Sequence, residues 1–223
     1  MSLHWKPARL PDRSPLEGET VRLEAVDPER HGEQLFASLT GHDELWDHLA
    51  YGPFADQAAF EAWLAERAAS SDPLFYAVVD RAAGEARGMA ALMRMDPANG
   101  VIEVGHIWFS PELQRSRQAT EAIYLTARYA FELGNRRFEW KCDSLNGPSR
   151  RAAERFGFTF EGIFRQHLVV KDRNRDTAWF SITDGEWPSR RAAFEAWLAP
   201  SNFDAEGRQR RRLADLLARP HPE

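Results

Sequence analysis

The chain has 223 residues, 43% hydrophobic and 28% charged, a balance typical of folded globular proteins that excludes disorder along its whole length. With 29 basic against 34 acidic residues the formal charge is −5, which excludes a broad basic surface, and no nucleic-acid partner is expected. One cysteine, Cys142, excludes both an internal disulfide and a zinc cluster built on cysteine.

The length suits one main domain. The histidines at 4, 31, 42, 48, 106, 167 and 221 form no metal-ligand spacing, so no metal is expected. No stretch approaches the roughly 20 apolar residues of a membrane span, and no apolar leader core opens the chain, so a cytoplasmic protein with no membrane partner is expected.

Residues 1–19, with Pro7, Pro11 and Pro15 among polar side chains, read as an extended arm. "TVRLEAV" (20–26) alternates like a half-buried strand. Asp27 and Pro28 then open a helix to about Thr40, with proline suited to the first turn. "DQAAFEAWLAERAAS" starts at the N-cap candidate Asp56 and repeats Phe60, Trp63, Leu64 and Arg67 at helical spacing. "LFYAVVD" (74–80) and "MAALMRM" (89–95) read as strands joined through "RAAGEARG" as a hairpin turn, and "DPANG" leads into the strand "VIEVGHIWF" (101–109). Apolar positions keep a helical period from Arg115 to Leu133, and Gly134 supplies the stop. "RFEWKCD" (137–143) is a strand, "NGPSRRAAERFGF" a short helix ending at Gly157, and "FTFEGIFRQHLVV" with "DTAWFSITDGEW" a final hairpin. Pro188 closes the pattern. Residues 189–223 read as two further helices around Pro200, which could pack on a twin subunit as a homodimer or cover a cleft. Their "RQRRR" run reads as a solvated helix face.

The long helix joins the strands 101–109 and 137–143, which a right-handed crossover makes parallel. Such a pair leaves a crevice at its carboxyl end, facing the start of the connecting helix. "PELQRSRQATEA" (111–122) lies there. A helix start offers unpaired N–H groups and the positive end of the macrodipole. The amides of Arg115, Ser116, Arg117, Gln118, Ala119 and Thr120 are therefore expected to hold a diphosphate, with the Arg115 and Arg117 side chains adding charge.

The string "VIEVGHIWFSPELQRSRQATEA", followed by "FEWKCDSLNGPSRRAAERFGFTFEG", resembles the GNAT N-acetyltransferases, in particular their RimJ/RimL-like, ribosomal-protein N-acetyltransferase-type branch. The resemblance spans about residues 20–187. It implies an α/β (α+β) GNAT fold: a mixed, mostly antiparallel sheet with a splayed parallel central pair, flanked by helices. The domain would cover 20–188, between the arm and the helical extension 189–223. It also implies acetyl-CoA as co-substrate, with the pyrophosphate turn Q/R-x-x-G-x-G/A falling on Gln114 to Ala119. The branch motif N-x-x-S before a G-F pair falls on Asn146, Ser149, Gly157 and Phe158. The implied reaction is transfer of an acetyl group to a primary amine by direct attack in a ternary complex. The acceptor would be a protein N-terminal α-amine or, alternatively, an amino acid, polyamine or antibiotic. Arg117 stands where the family usually has glycine, Ala153 where many members have tyrosine, and Leu168 where some of the branch have an acidic residue. These departures keep a non-catalytic acyl-CoA-binding module as the rival reading.

Acetyl transfer needs an amine that loses a proton, a held oxyanion and a proton for the leaving sulfur. The resemblance suggests Glu103 as base; a carboxylate paired within the sheet is the equal alternative. Strict alternation groups Glu103 with Val101 and Ile107, and His106 with Val104 on the opposite face, unless a kink near Gly105 breaks the parity. Ser149 is the candidate donor to the thiolate, against an ordinary helix hydroxyl bonded back to the backbone. Asn146 is expected as N-cap, coenzyme ligand or both, and the oxyanion is expected at the amides of Ile107 and Trp108. His167 is a poor substitute base, since strand neighbours face opposite ways. Trp46, Tyr51, Trp108, Trp140 and Phe164 are candidates for an acceptor pocket, most of them as core, and Cys142 reads as a small core residue.

Overall fold

A computed structural model describes residues 5–218, so the first four residues of the expected arm and the last five of the expected helical extension lie outside the described residues. The elements are β1 (Leu16–Glu17), β2 (Val21–Ala25), α1 (Pro28–Leu39), α2 (Gln57–Ala69), β3 (Leu74–Asp80), β4 (Glu85–Asp96), β5 (Val101–Phe109), α3 (Arg117–Glu132), β6 (Arg137–Asp143), α4 (Gly147–Arg155), β7 (Thr159–Val170), β8 (Arg173–Thr183), α5 (Trp187–Leu198) and α6 (Leu213–Leu217). Among the described residues the strands form one sheet in the order β1-β2-β3-β4-β5-β6-β8-β7. Every neighbouring pair is antiparallel except β5 and β6, which are parallel. This is the expected mixed sheet with one parallel central pair.

Local chemistry starts the helices where the sequence indicates. An Asp27 carboxylate oxygen accepts from the amides of Glu29 and Arg30, with Pro28 in the first turn of α1. Asp56 accepts from Ala59 N at α2. α3 starts two residues after Arg115, at Arg117, because Ser116 Oγ accepts from Ala119 N and caps it.

Elsewhere the boundaries move for identifiable reasons. The β3–β4 turn is shorter than "RAAGEARG" because Asp80 Oδ1 accepts from the amides of Ala82 and Ala83, and pairing resumes at Glu85. β8 begins at Arg173, ahead of "DTAWF", since Lys171 (φ 48°) and Asp172 (φ 58°) make a two-residue left-handed turn without the usual glycine or asparagine signal. Pro188 sits in the first turn of α5, so it opens that helix. The second helix after Pro200 is only α6, preceded by a 3-10 turn at Pro200–Asn202. Asn202 holds this segment by donating to the carbonyls of Trp197 and Arg211.

Helices cover both faces. α3, α4 and α5 bury Val21, Leu23, Tyr76, Ile102, Phe138 and Phe180, and Phe194, Trp197, Leu213 and Leu216 belong to the same apolar cluster. On the other face α1 and α2 set Leu35, Phe60 and Leu64 against Phe75, Met89 and Trp108.

The chain between β1 and β2 is tied to α3 by one buried carboxylate. Glu121 accepts from the amides of Glu19 (2.6 Å), Thr20 (2.7 Å) and Val21 (3.1 Å), and from Thr20 Oγ1. A Cβ at Gly18 would stand 2.7 Å from this carboxyl group, which explains the glycine. Glu121→Ala should lower unfolding stability by about 2–3 kcal/mol in urea titration, because three amides lose a charged acceptor in a buried place.

Candidate active site

β5 and β6 pair only from Val101 opposite Arg137 to Val104 opposite Trp140, after which the two strands part. On its other side β5 pairs Gly105 with Ala91 and Trp108 with Met89. His106 and Ile107 therefore stand together against Ala90, a bulge that breaks the register near the point of parting. His106 carries a left-handed φ of 49°. The bulge overturns the grouping given by strict alternation. Ile107 packs with the cluster under α3, while His106 turns to the α1/α2 side, stacked on Tyr51 and tilted against Phe75.

His106 Nδ1 lies 3.2 Å from Tyr51 Oη. Burial, then the positive field of Arg67, Arg94 and Arg175, pulls the imidazole down to about 4, so it is neutral above that pH. Burial pushes the Tyr51 phenol up, so it keeps its proton.

Glu103 is buried and faces a chain of charges. Its Oε2 accepts from Arg94 (2.9 Å) and Lys141 (2.9 Å). Lys141, only 5% exposed, also meets Glu139 at 2.6 Å and sits 3.9 Å from the Trp179 ring centre. Arg137 continues the chain from Glu139 to Glu161. Glu103 and Glu139 are direct partners across the parallel pair, so the lysine separates two carboxylates that would otherwise repel.

At the start of α3, Leu113 N and Gln114 N donate to Ser110 O, and Gln114 Nε2 donates to Phe109 O. Ser116 Oγ takes the Ala119 amide, and Ser116 O takes Thr120 N. Two of the six expected amides are thus occupied. Those of Arg115, Ser116, Arg117 and Gln118 have no acceptor among the described residues. Arg115 takes the left-handed conformation (φ 57°), while Arg117 is the first residue of α3, so no glycine is required at 117. The Arg117 guanidinium points away from the turn, to Leu198 O, Glu19 and the Phe203 ring. The side chain expected to add charge at the turn is thus engaged on its other side. Gln118 is bonded to Asp80.

Across the cleft Asn146 caps α4 by accepting from Ser149 N at 2.9 Å. Ser149 Oγ accepts from Trp140 Nε1 at 3.0 Å and its hydroxyl bonds the Cys142 thiol, so the hydroxyl makes no bond back to a carbonyl of its own helix. Burial raises the nearby Cys142 thiol, a core group. Of the aromatic candidates, Trp46, Trp108 and Trp140 are core, whereas Tyr51 flanks His106 and Phe164 is 56% exposed. The β7–β8 turn reaches across this side, with Lys171 Nζ donating to Trp46 O at 2.8 Å. His167 Nδ1 lies 2.9 Å from Thr177 Oγ1.

Two features escape the sequence reading. Arg155, half-buried between Phe156 and Trp197, donates to Thr120 Oγ1 at 3.1 Å and has no carboxylate partner among the described residues. It brings to the first turn of α3 the positive charge expected of Arg117. The ion chain was signalled by "RFEWKCD", whose charged residues alternate strictly with apolar ones and so share one face.

A family model described as an acetyltransferase (GNAT) domain matches residues 20–159, more than half of the chain. A solved GCN5-related N-acetyltransferase from Brucella melitensis is 52% identical, covers 96% of this chain and 98% of its own, and superposes with a TM-score of 0.94. A solved protein described as a probable acetyltransferase (GNAT family), from Chromobacterium violaceum ATCC 12472, is 48% identical over 84% of this chain and 95% of its own, with a TM-score of 0.80. A curated Bacillus subtilis (strain 168) protein named "Putative ribosomal N-acetyltransferase YdaF" is 31% identical over 105 residues, 47% of this chain; the match spans 57% of that relative's length.

Removing Lys141 tests the charge chain. Lys141→Met should cost about 3–5 kcal/mol in chemical unfolding by leaving Glu103 and Glu139 face to face, and adding Glu103→Gln should recover part of the loss.

Proposed function

The chain belongs to the GNAT acetyltransferases, a family that uses acetyl-CoA as co-substrate, and from that premise we propose that it transfers an acetyl group from acetyl-CoA to a protein N-terminal α-amine. One observation carries the reading: four open amides, Arg115 to Gln118, begin α3 beside the place where β5 and β6 part. Main-chain donors at a helix start suit a diphosphate. Arg155, with no carboxylate of its own, supplies a compensating cation, and burial pulls its guanidinium down, which a bound anion would reverse.

The pantetheine arm then lies in the gap between the parting strands. Asn146 and Ser149 of α4 border it on one side and Ile107 and Trp108 on the other. The amide of Ile107, at the bulge, suits the developing oxyanion. Ser149 Oγ, held by the Trp140 indole and bonded to the Cys142 thiol, is the hydroxyl that would turn to protonate the departing thiolate. The choice of a protein α-amine over a small amine rests on the Bacillus subtilis relative, which is named as a putative ribosomal N-acetyltransferase.

Thiol release from acetyl-CoA, followed with a panel of peptides, amino acids, polyamines and aminoglycosides, tests this reading. Release with a free peptide α-amine and none with the same peptide already N-acetylated is expected, and Ser149→Ala should lower kcat about 10²-fold. Coenzyme binding without release on any amine would favour the binding module instead.

A further inference from the structure

The reaction also needs a group that receives the proton of the attacking amine. We infer that His106, oriented by Tyr51, is that group and therefore a catalytic base of this enzyme, while Glu103 serves the ion chain beneath the gap. The inference rests on the acetyl-transfer reading above.

His106 is the bulge residue itself, at the point where β5 leaves β6, and the next residue carries the amide suited to the oxyanion. Its side chain faces the α1/α2 side, opposite the helices α3 and α4 that border the coenzyme. An amine arriving from that side meets the imidazole next to the carbonyl it attacks. The left-handed φ of 49° is unfavourable for a residue with a Cβ, and such strain is retained where it places a side chain that function needs. Glu103 Oε2 is occupied by Arg94 and Lys141. His106 Nε2, by contrast, has no hydrogen-bond partner among the described residues, and the ring is only half-buried.

With Nδ1 carrying its proton and donating to Tyr51 Oη, the free pair on Nε2 is the acceptor. The neutral amine's lone pair forms the N–C bond, and the carbonyl π pair moves to oxygen. The nitrogen, now cationic and far more acidic than a free ammonium, passes one proton to Nε2. The oxygen pair then returns, the C–S bond breaks with its electrons on sulfur, and Ser149 supplies the thiolate proton. Imidazolium and seryl oxyanion are restored to neutrality by proton exchange through solvent. The imidazole is neutral above about pH 4, so the Nε2 pair is unprotonated at neutral pH.

The test is steady-state and single-turnover kinetics of His106→Asn and Tyr51→Phe with the best acceptor of the panel, beside acetyl-CoA binding read by thermal shift. His106→Asn should lower kcat about 10²–10³-fold with the acetyl-CoA KM and thermal shift within about twofold of wild type, and added imidazole should restore part of the rate. Tyr51→Phe, which keeps the ring and the fold, should lower kcat about tenfold with binding again unchanged. Retention of more than a third of kcat in His106→Asn, or equal losses of coenzyme binding and rate in both variants, would overturn the assignment of the base alone. A wild-type enzyme from which none of the amines brings about thiol release would overturn the acetyl-transfer reading and the base with it.

Discussion

The loss of pairing between β5 and β6 after four residues is the constraint on which the rest of the molecule depends. A parallel pair that continued would satisfy its own backbone groups and leave no room between the strands. The bulge at His106 and Ile107 ends the regular register from the β4 side, and α3 and α4 begin where the two strands part. Open main-chain donors thus lie at the first turn of α3, which the last residue of α4, Arg155, touches through Thr120. Unsatisfied amides in a folded chain call for a partner, and an anion at a helix start is the natural one.

Holding two parting strands in a fixed geometry needs support from outside the gap. Beneath it the chain Arg94, Glu103, Lys141, Glu139, Arg137 and Glu161 crosses from β4 to β7, tying together the strands on both sides of the break. At the outer end, Arg117 fastens the start of α3 to the end of α5, so the first turn of α3 and the C-terminal segment share one anchor. The departure from glycine at 117 is thereby explained, since a side chain there has a structural task and the backbone is already helical.

Local chemistry was the most legible part of the sequence. Asp27 and Asp56 cap their helices with short-range bonds that a reading of neighbours can foresee, and the strand–helix–strand order around α3 places the turn correctly. The direction of the His106 side chain could not be read, because it depends on how β5 registers against β4, a relation between distant segments. The same holds for Arg117 and Arg155, whose roles are exchanged by the packing of α5 against α3 and α4. The Lys171–Asp172 turn shows the limit in another way: left-handed backbone was imposed on residues that do not advertise it. The ion chain lay between these cases, visible in the alternation of "RFEWKCD" but unreadable as to partner.

Backbone amide NMR of the protein titrated with coenzyme A is the direct measurement of where the diphosphate goes. The amides of Arg115, Ser116, Arg117 and Gln118 should shift downfield together and saturate with one affinity, with accompanying changes at Ile107 and Trp108. Saturable shifts confined to other segments, with those four amides unmoved, would contradict a coenzyme cradle at the start of α3.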